Sequence, residues 1–301
     1  MVNTTASGSR FRAPLGKVDG YNAANPSDLI ANLAYYYKLD GNANDERGAL
    51  NLTEVNSPSY SSSTKIQGQS IQFTPASSKE HLSSSNVTIN LGTAYTIHLW
   101  LYWDGNSIYY ENSAGSGATT GGNILGQFDY KANGTSCTGN GDKFWGIYVE
   151  TSTGVIAFYI HTGGCNTGTI LTYSSAASTL VASTWYHIVM RHDGAGNFSM
   201  FVNNASAVTA ATHPQSSASW TRPLYIGSGG YFYYSGTYPN NITRWYWSGY
   251  FDEVGIWNRK LTDTEVATLY NVGIGTRYPF GSESYGYRSG RRLGQVDDVN
   301  K

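Results

Sequence analysis

A strand followed closely by a helix, at residues 249–273, constrains the fold of this chain more than any other feature of the sequence. The first part alternates and ends in aromatic and aliphatic residues, at Phe251, Val254, Ile256 and Trp257. This pattern predicts a β-strand with a buried face. A short basic turn then leads into a helical pattern.

Start and stop signals for a helix frame the second part of this stretch. Thr262 can cap the helix, and Glu265, three residues on, can reach back to the cap. Leu261 and Val266 occupy the two positions of a hydrophobic staple. Gly273 supplies a stop. We therefore predict one short amphipathic helix locked to the strand before it.

The composition favours an all-β protein. Of 301 residues, 25 are Tyr, 8 are Trp and 35 are Gly. Tyr, Trp and Thr suit half-buried pleated surfaces, and Gly makes turns. Only 13% of the residues are charged and the net charge is −1, so we expect neither a nucleic-acid nor a membrane partner. These numbers predict one large β domain with a polar, aromatic exterior, as is common in extracellular or virion surface proteins.

Further segments extend the pattern of the closing strand and helix along the chain. They are an opening strand with an Asp-rich loop, a strand in which an aliphatic residue precedes Phe, a central strand with Trp, a Trp-His-Val strand with its turn, and a strand before the closing unit, at residues 36–45, 70–73, 95–101, 184–194 and 224–227. In this order they resemble the laminin-G-like, concanavalin-A-like jelly-roll family over residues 33–273. The resemblance implies an antiparallel jelly-roll sandwich with one short C-terminal helix.

The resemblance leaves both ends of the chain and two long segments uncovered. We predict an extended N-terminal arm at residues 1–29, a jelly-roll domain at 30–276 and a C-terminal tail at 277–301. Two Tyr-rich segments, 104–122 and 228–247, are predicted to be long loops. Arms without cores normally become ordered by lying on neighbours, so we expect subunit contacts there.

A calcium site is implied by the resemblance, where the opening loop meets the closing strand. Its ligands would be Asp40, Asn42, Asn44 or Asp45 together with Asp252. Ca²⁺ takes six to eight oxygen ligands, and a Gly-containing Asp/Asn loop can supply several of them. The alternative is that these side chains form Asx-turns and cap the loop without a metal.

The sequence argues against an active site. Glycosidases on related jelly rolls place two or three carboxylates at alternate positions of one strand, whereas Asp252 and Glu253 are adjacent and should project to opposite faces. Neither a Gly-x-Ser-x-Gly nor a His-Glu-x-x-His motif is present. We therefore expect a protein that is not an enzyme. Ion pairs of the two carboxylates with Arg47 or Arg259 are a further alternative.

Exposed aromatic residues are the better candidates for function, because they stack on sugar rings and are enriched in interface cores. The candidates lie in the two Tyr-rich segments: Tyr109, Tyr110, Tyr231, Tyr233, Tyr234, Trp245 and Trp247. They could bind carbohydrate or another protein, or merely cover the sandwich of their own subunit.

The two cysteines, Cys137 and Cys165, lie in Gly-rich loops at opposite ends of one predicted hairpin. Such ends would meet, so we expect a disulfide between them. Two free thiols are the alternative, and two cysteines give little signal for a metal site.

Three classes of function compete. The first is a virion structural protein, meaning a capsid-decorating, head-fibre or tail-associated phage subunit on the virion surface, bound through its arms to neighbouring subunits or to copies of itself. Its support is the two arms, the polar aromatic surface and an N-terminus without the apolar stretch of a secretory signal. The alternative is a carbohydrate-binding adhesin or lectin-like module of an extracellular or cell-surface protein, with surface glycans as partners. The third class is an accessory domain of a secreted hydrolase.

Overall fold

The protein consists mainly of antiparallel β-strands. The computed structural model describes residues 26–74, 78–91, 93–112, 115–128, 145–161, 170–210, 219–232 and 242–280. Within these ranges, the α-helices are α1 (Pro26–Ile30) and α2 (Asp263–Tyr270), and a 3-10 turn follows α2 at Asn271–Gly273. The strands in chain order are β1 (Leu33–Tyr37), β2 (Thr53–Val55), β3 (Ser59–Ser61), β4 (Ser70–Phe73), β5 (His81–Asn90), β6 (Tyr95–Trp103), β7 (Ile108–Asn112), β8 (Gly115–Thr119), β9 (Gly121–Gln127), β10 (Trp145–Glu150), β11 (Val155–His161), β12 (Ile170–Ser174), β13 (Thr184–His192), β14 (Phe198–Val202), β15 (Ala205–Ala210), β16 (Ser219–Ile226), β17 (Ser228–Phe232), β18 (Ile242–Tyr246) and β19 (Gly249–Trp257).

Two large sheets form the sandwich that the sequence predicts. The main sheet has eight strands in the order β15-β14-β13-β6-β19-β4-β3, with β1 also paired to β19. The second sheet has seven strands in the order β12-β11-β10-β9-β16-β5-β2. The closing strand β19 lies in the middle of the main sheet, where it pairs with β6 along its length and with β4 and β1 at its two halves.

The core lies between these two sheets. Alternate residues of each strand point into it, as the period of a pleated strand requires. The main sheet contributes Leu99, Ile188 and Ile256, and the second sheet contributes Ile147 and Phe158, all of them fully or almost fully buried.

The two Tyr-rich segments differ from the prediction that they are loops. They form a third sheet of four strands, in the order β17-β18-β7-β8, which we call the end sheet. The end sheet lies where β6 and β16 end and β19 begins. Its pairing of β7 with β18 joins Tyr110 to Trp245, two residues far apart in sequence, which local sequence patterns cannot show.

The capping signals of α2 are confirmed. The Thr262 side chain accepts from the Glu265 backbone N–H, and the Glu265 carboxylate accepts from the Thr262 backbone N–H at 2.7 Å. The helix end differs from the prediction: Asn271, with φ 43°, takes the left-handed conformation at the helix end, two residues before Gly273. Asparagine tolerates this conformation better than most residues, so a glycine is not needed there.

Removing the cap should weaken the fold by a modest, measurable amount. Thr262→Ala leaves the first turn of α2 without its side-chain acceptor, so we expect a loss of about 1 kcal/mol in the free energy of unfolding. Thr264→Ala is the matched control, because Thr264 is an exposed threonine inside the same helix. Urea denaturation of both variants measures the difference, and equal losses would contradict a capping role.

Two residues just outside the boundaries predicted at residues 30 and 276 are buried. Leu29 in α1 is fully buried, and Phe280 is almost fully buried. Both pack against the outer face of the main sheet in a cluster with Tyr36, Trp257 and Leu269. The remaining parts of the predicted arm and tail lie outside the described residues. Within the described ranges, no helix is long and apolar enough to cross a membrane.

Candidate functional site

The outer face of the main sheet carries the most unusual side chains of the described structure. Residues directly opposite each other on antiparallel strands share a face. One such row joins His187 on β13, Trp100 on β6 and Asp252 on β19. With the nearby His98 and Glu253 they form what we call the buried polar cluster, whose members are at most 2% exposed.

A β-bulge brings the two adjacent carboxylates of this cluster to one face. The register between β19 and β6 shifts between Asp252 and Gly255, and Glu253 has φ 49°. Glu253 Oε2 accepts from the Tyr36 hydroxyl at 2.6 Å, and the Tyr36 ring stacks 6.5 Å from that of His98 on the outer face. The expectation that the carboxylates project to opposite faces is therefore wrong, because the extra residue of the bulge breaks the alternation.

The partners of the two carboxylates also differ from the ion pairs considered above. Asp252 Oδ2 accepts from the backbone N–H of Ile66 at 2.7 Å and of Gln67 at 3.0 Å. Arg259 pairs instead with Glu265 in helix α2. Among the described residues, neither carboxylate forms an ion pair with an arginine.

Burial disfavours the charged forms of the ionisable groups in this cluster. It raises the pKa of Asp252 and of Glu253 well above their usual ranges, and the proximity of the two carboxylates raises the pKa of Glu253 further. Burial lowers the pKa of His98 to about 3, and burial together with the charge of His98 lowers the pKa of His187. Because both carboxylates are fully buried, neither is accessible to a dissolved substrate.

Asp45 caps its own loop. Its Oδ1 accepts from the backbone N–H groups of Tyr36 and Arg47, and its Oδ2 from those of Ala49 and Leu50, at 2.9–3.1 Å. The two carboxylate oxygens thus already accept four backbone N–H groups, on the sides from which a cation would approach. This is the loop-capping alternative described above.

The other predicted calcium ligands are similarly engaged. Asn42 Oδ1 accepts from the Asn44 backbone N–H at 3.0 Å, which is an Asx-turn. Asp40 accepts from the Gln69 backbone N–H through Oδ1 and lies 3.4 Å from Arg277 through Oδ2. In the described part of the chain, no group of three or more His, Cys, Asp or Glu residues could hold a metal. A calcium ion at this loop stays a prediction.

The aromatic residues predicted to make contacts have different environments. Tyr109 and Tyr110 are half-buried on β7, and the half-buried Trp245 on β18 lies over Gly122, where an added Cβ would lie 2.4 Å from the indole. The prediction is wrong for Trp247, which is fully buried and packs at 6.5 Å against Phe251 in the core. The side chain of Tyr231, together with Tyr233, Tyr234, Cys137 and Cys165, lies outside the described residues.

A second row on the outer face of the main sheet is only partly buried. Trp185 on β13 lies opposite Tyr102 on β6, Tyr102 opposite Tyr250 on β19, Tyr250 opposite Gln72 on β4, and Gln72 opposite Ser59 on β3. The first four side chains are half-buried and Ser59 is exposed. We call these five residues the aromatic row.

The three rings of the aromatic row contact one another. The Tyr102 ring centre lies 5.5 Å from that of Trp185 and 5.3 Å from that of Tyr250. Such contacts hold the rings in place and leave part of each ring facing solvent. The row lies two residues away from the buried polar cluster on each of β6, β13 and β19, beyond the area covered by the Tyr270 ring of α2, which stacks on Trp100 at 5.9 Å.

A comparison with family models decides the assignment of the fold. The model described as the concanavalin A-like lectin/glucanases superfamily matches residues 76–267, which is more than half of the chain. The chain belongs to this superfamily. The laminin-G-like resemblance seen in the sequence is thereby confirmed. No curated protein matches the chain by sequence.

Solved structures share this lectin/glucanase fold at low identity. A structure of botulinum neurotoxin type C, whose cell entry is described as depending on two ganglioside molecules, matches with a TM-score of 0.52 and 11% identity over 82% of this chain and 53% of that chain. The ligand-binding domain of serotype D, in complex with N-acetylneuraminic acid, matches with a TM-score of 0.53 and 10% identity over 82% and 52%. The binding domain of Paraclostridial Mosquitocidal Protein 1 matches with a TM-score of 0.52 and 13% identity over 82% and 53%. The chain thus spans about half the length of these proteins, and at such identities the likeness concerns the fold alone.

Sequence reasoning missed the aromatic row of this superfamily member, although a signal for it was present. Along β6, Ile97, Leu99 and Leu101 point into the core, so Trp100 and Tyr102 must face outward. The remaining question is which outward aromatic residue is covered. Helix α2 covers Trp100 and leaves Tyr102 half-exposed, which only the tertiary structure shows.

Proposed function

We propose that this chain is a non-catalytic carbohydrate-binding domain whose ligand stacks on the aromatic row. The observation that carries the proposal is the set of three half-exposed rings, Trp185, Tyr102 and Tyr250, side by side on an open sheet face. Aromatic faces bury the apolar C–H surface of a sugar, and the polar tips of Tyr and Trp donate hydrogen bonds to its hydroxyls.

The polar end of the row supports this proposal. Gln72 and Ser59 continue the line of rings with side chains that donate and accept hydrogen bonds. Sites for small ligands combine an apolar surface with a few polar groups that fix the orientation of the ligand. In the aromatic row, the three rings supply the apolar surface, and Gln72 and Ser59 supply the polar groups.

The structural neighbours add circumstantial support. The two botulinum neurotoxin structures are described with gangliosides and with N-acetylneuraminic acid, so two proteins that contain this fold are described with sugar ligands. We infer from the same neighbours that this chain acts at a surface exposed to glycans, outside a cell or on a particle.

The absence of catalysis is also part of the proposal. A glycosidase needs two carboxylates on either side of the scissile bond. The bulge places Asp252 and Glu253 on one face, but both are fully buried, Asp252 bonded to the backbone of Ile66 and Gln67 and Glu253 to the Tyr36 hydroxyl. In the described structure, neither borders the aromatic row as an accessible acid or base.

Removing one ring tests the proposal. A glycan array with the whole chain identifies a ligand, and isothermal titration calorimetry then compares variants. Trp185→Ala should weaken binding about tenfold or more, which corresponds to about 1.4 kcal/mol of lost stacking. Tyr148→Ala is the matched control, because Tyr148 is a half-buried tyrosine on the second sheet that packs against Tyr159 at 5.2 Å. An array without any bound glycan would contradict the function.

The virion structural role stays a prediction from the sequence. It depends on the terminal arms, of which residues 1–25 and 281–301 lie outside the described structure. A carbohydrate-binding domain on a virion would satisfy both predictions, with glycans of the host surface as ligands. Mass spectrometry of purified particles, with this chain present in many copies, would support the virion role, and its absence would contradict it.

A further inference from the structure

We propose that the aromatic row binds a linear, uncharged and soluble oligosaccharide that lies across the strands, rather than a single terminal sugar or an acidic glycan. This inference rests on the proposed function and specifies its ligand. Three properties of the row lead to it: its length, its lack of charge and the angles between its rings.

The length of the row requires several sugar rings. Its five residues lie on five neighbouring strands, β13, β6, β19, β4 and β3. Neighbouring strands are about 4.8 Å apart, so the four intervals span about 19 Å. One sugar ring is no larger than one aromatic side chain and would contact a single step of the row. A ligand that uses the rings and the polar end together must therefore be a chain.

The charges around the row disfavour an acidic sugar. Carboxylate and sulfate groups are bound by Arg and Lys, and the row contains neither. The nearest charged group along β6 is Asp104, two residues after Tyr102, whose carboxylate accepts from the Ser248 hydroxyl at 2.6 Å. An anionic ligand would approach a carboxylate, so the row should discriminate against N-acetylneuraminic acid.

The angles between the rings disfavour a flat, crystalline polymer. The planes of Trp185 and Tyr102 differ by 57°, and those of Tyr102 and Tyr250 by 86°. A crystalline polysaccharide presents one flat surface and would need coplanar rings. Rings that turn at each step suit a chain that twists in solution, as does the right-handed twist of the sheet itself.

The polar end of the row should hold one hydroxyl of this chain. The Ser59 hydroxyl donates to Gln72 Oε1 at 3.3 Å. This contact orients the Gln72 amide and leaves its nitrogen, which carries two N–H donors, for the ligand. Ligands long enough to reach from Trp185 to Gln72 should gain this hydrogen bond, and shorter ligands should not.

A series of oligosaccharides of increasing length tests the inference directly. Calorimetry would compare neutral gluco-, galacto- and arabino-oligosaccharides, each from the monosaccharide to the hexasaccharide, with 3′-sialyllactose as the acidic probe. In the best neutral series, we expect affinity to rise about tenfold or more from the disaccharide to the tetrasaccharide and then to level off. Salt should not change the affinity of an uncharged ligand. Gln72→Ala should weaken the tetrasaccharide about threefold and leave the disaccharide unchanged.

The outcomes separate this inference from the proposed function. If no glycan binds at all, both are wrong. If glycans bind but affinity is independent of length, or 3′-sialyllactose binds best, or Gln72→Ala affects all lengths equally, the inference is wrong and carbohydrate binding stands. If analytical ultracentrifugation shows a dimer that Trp185→Ala dissociates, the row is an interface between copies of the chain, and the inference is wrong. Tyr148→Ala, on the second sheet, should leave the affinity for every oligosaccharide of the series unchanged.

Discussion

Trp257→Ala should lower the free energy of unfolding by about 3–5 kcal/mol, the range for a fully buried aromatic side chain. Trp257 is fully buried on the outer face of the main sheet. Its ring lies 6.2 Å from that of Tyr36 and 6.3 Å from that of Phe280, and its indole N–H donates to the Leu29 carbonyl at 2.7 Å. One side chain thus joins the closing strand to the first strand, to helix α1 and to the C-terminal segment.

A second variant at Trp257 separates packing from hydrogen bonding, and a variant at Trp185 serves as the control. Trp257→Phe keeps most of the ring and removes the donor to Leu29, so it should cost about 1–3 kcal/mol. Trp185→Ala is the matched control on the same face, because Trp185 is only half-buried, and it should cost less than half as much as Trp257→Ala. Urea unfolding followed by circular dichroism measures all three. Equal losses at Trp257 and Trp185 would contradict the packing described for helix α1 and the C-terminal segment.

The free energy of unfolding of the native protein should fall as pH rises, and Glu253→Gln should remove this fall. Burial, and then the neighbouring Asp252, raise the pKa of Glu253 well above its ordinary value of 4.5. The folded protein therefore binds a proton that the unfolded chain releases above pH 4.5. This contribution to stability is fully present below pH 4.5 and is lost as pH rises towards the raised pKa, at about 1.4 kcal/mol per pH unit. Glutamine keeps an oxygen acceptor for Tyr36 and never ionises.

The buried histidines make the free energy of unfolding depend on pH in the opposite direction. The pKa values of His98 and His187 are lowered from 6.5, so their contribution is present above pH 6.5 and is lost as pH falls below it. From pH 6.5 up to about pH 10, the ordinary pKa of tyrosine, the slope therefore belongs to the carboxyl groups; above it, buried tyrosines such as Tyr36, whose pKa burial raises, also contribute.

Unfolding free energies measured at a series of pH values test this assignment. The difference between Glu253→Gln and the native protein should grow as pH rises above 4.5, the ordinary pKa of glutamate. Glu54→Gln is the matched control, because Glu54 also accepts from a tyrosine hydroxyl, that of Tyr60, but is exposed. Its profile should parallel that of the native protein. A parallel profile for Glu253→Gln as well would contradict the buried, proton-binding state of that carboxyl group.

The sequence was sufficient to predict the closing strand and helix, because their signals are local. The strand from Gly249 to Trp257 and the reciprocal cap of Thr262 and Glu265 are both present as predicted. Long alternating strands such as Tyr95–Trp103 were predicted for the same reason. The order of such segments was enough to indicate the family.

The end sheet was missed because nothing local specifies it. Its strands are rich in Gly, Ser and Tyr, as in Ser228–Phe232, a composition that also suits loops. Strand pairing across more than a hundred residues, such as that of Glu111 with Arg244, depends on the two large sheets that bring the segments together. A prediction from composition therefore could not distinguish this sheet from a pair of loops.

The candidate site was only partly predictable for a related reason. The sequence identified exposed aromatic residues as the functional class, but it selected those in the Tyr-rich segments. Trp185, Tyr102 and Tyr250 come from three strands that are distant in sequence, and only the pairing of β13, β6 and β19 brings them together. The bulge at Glu253 was similarly invisible, because one positive φ angle changes which face a side chain occupies.

If sugars bind on the aromatic row, nuclear magnetic resonance of the indole N–H groups should detect the contact at Trp185. The chain has eight tryptophans. Trp185 is half-exposed in the row, whereas Trp257 and Trp145 are fully buried elsewhere. On titration with the neutral oligosaccharide that binds best, the Trp185 signal, assigned with Trp185→Phe, should shift progressively and saturate while those of Trp257 and Trp145 stay in place. Saturable binding that leaves the Trp185 signal unmoved would contradict the account.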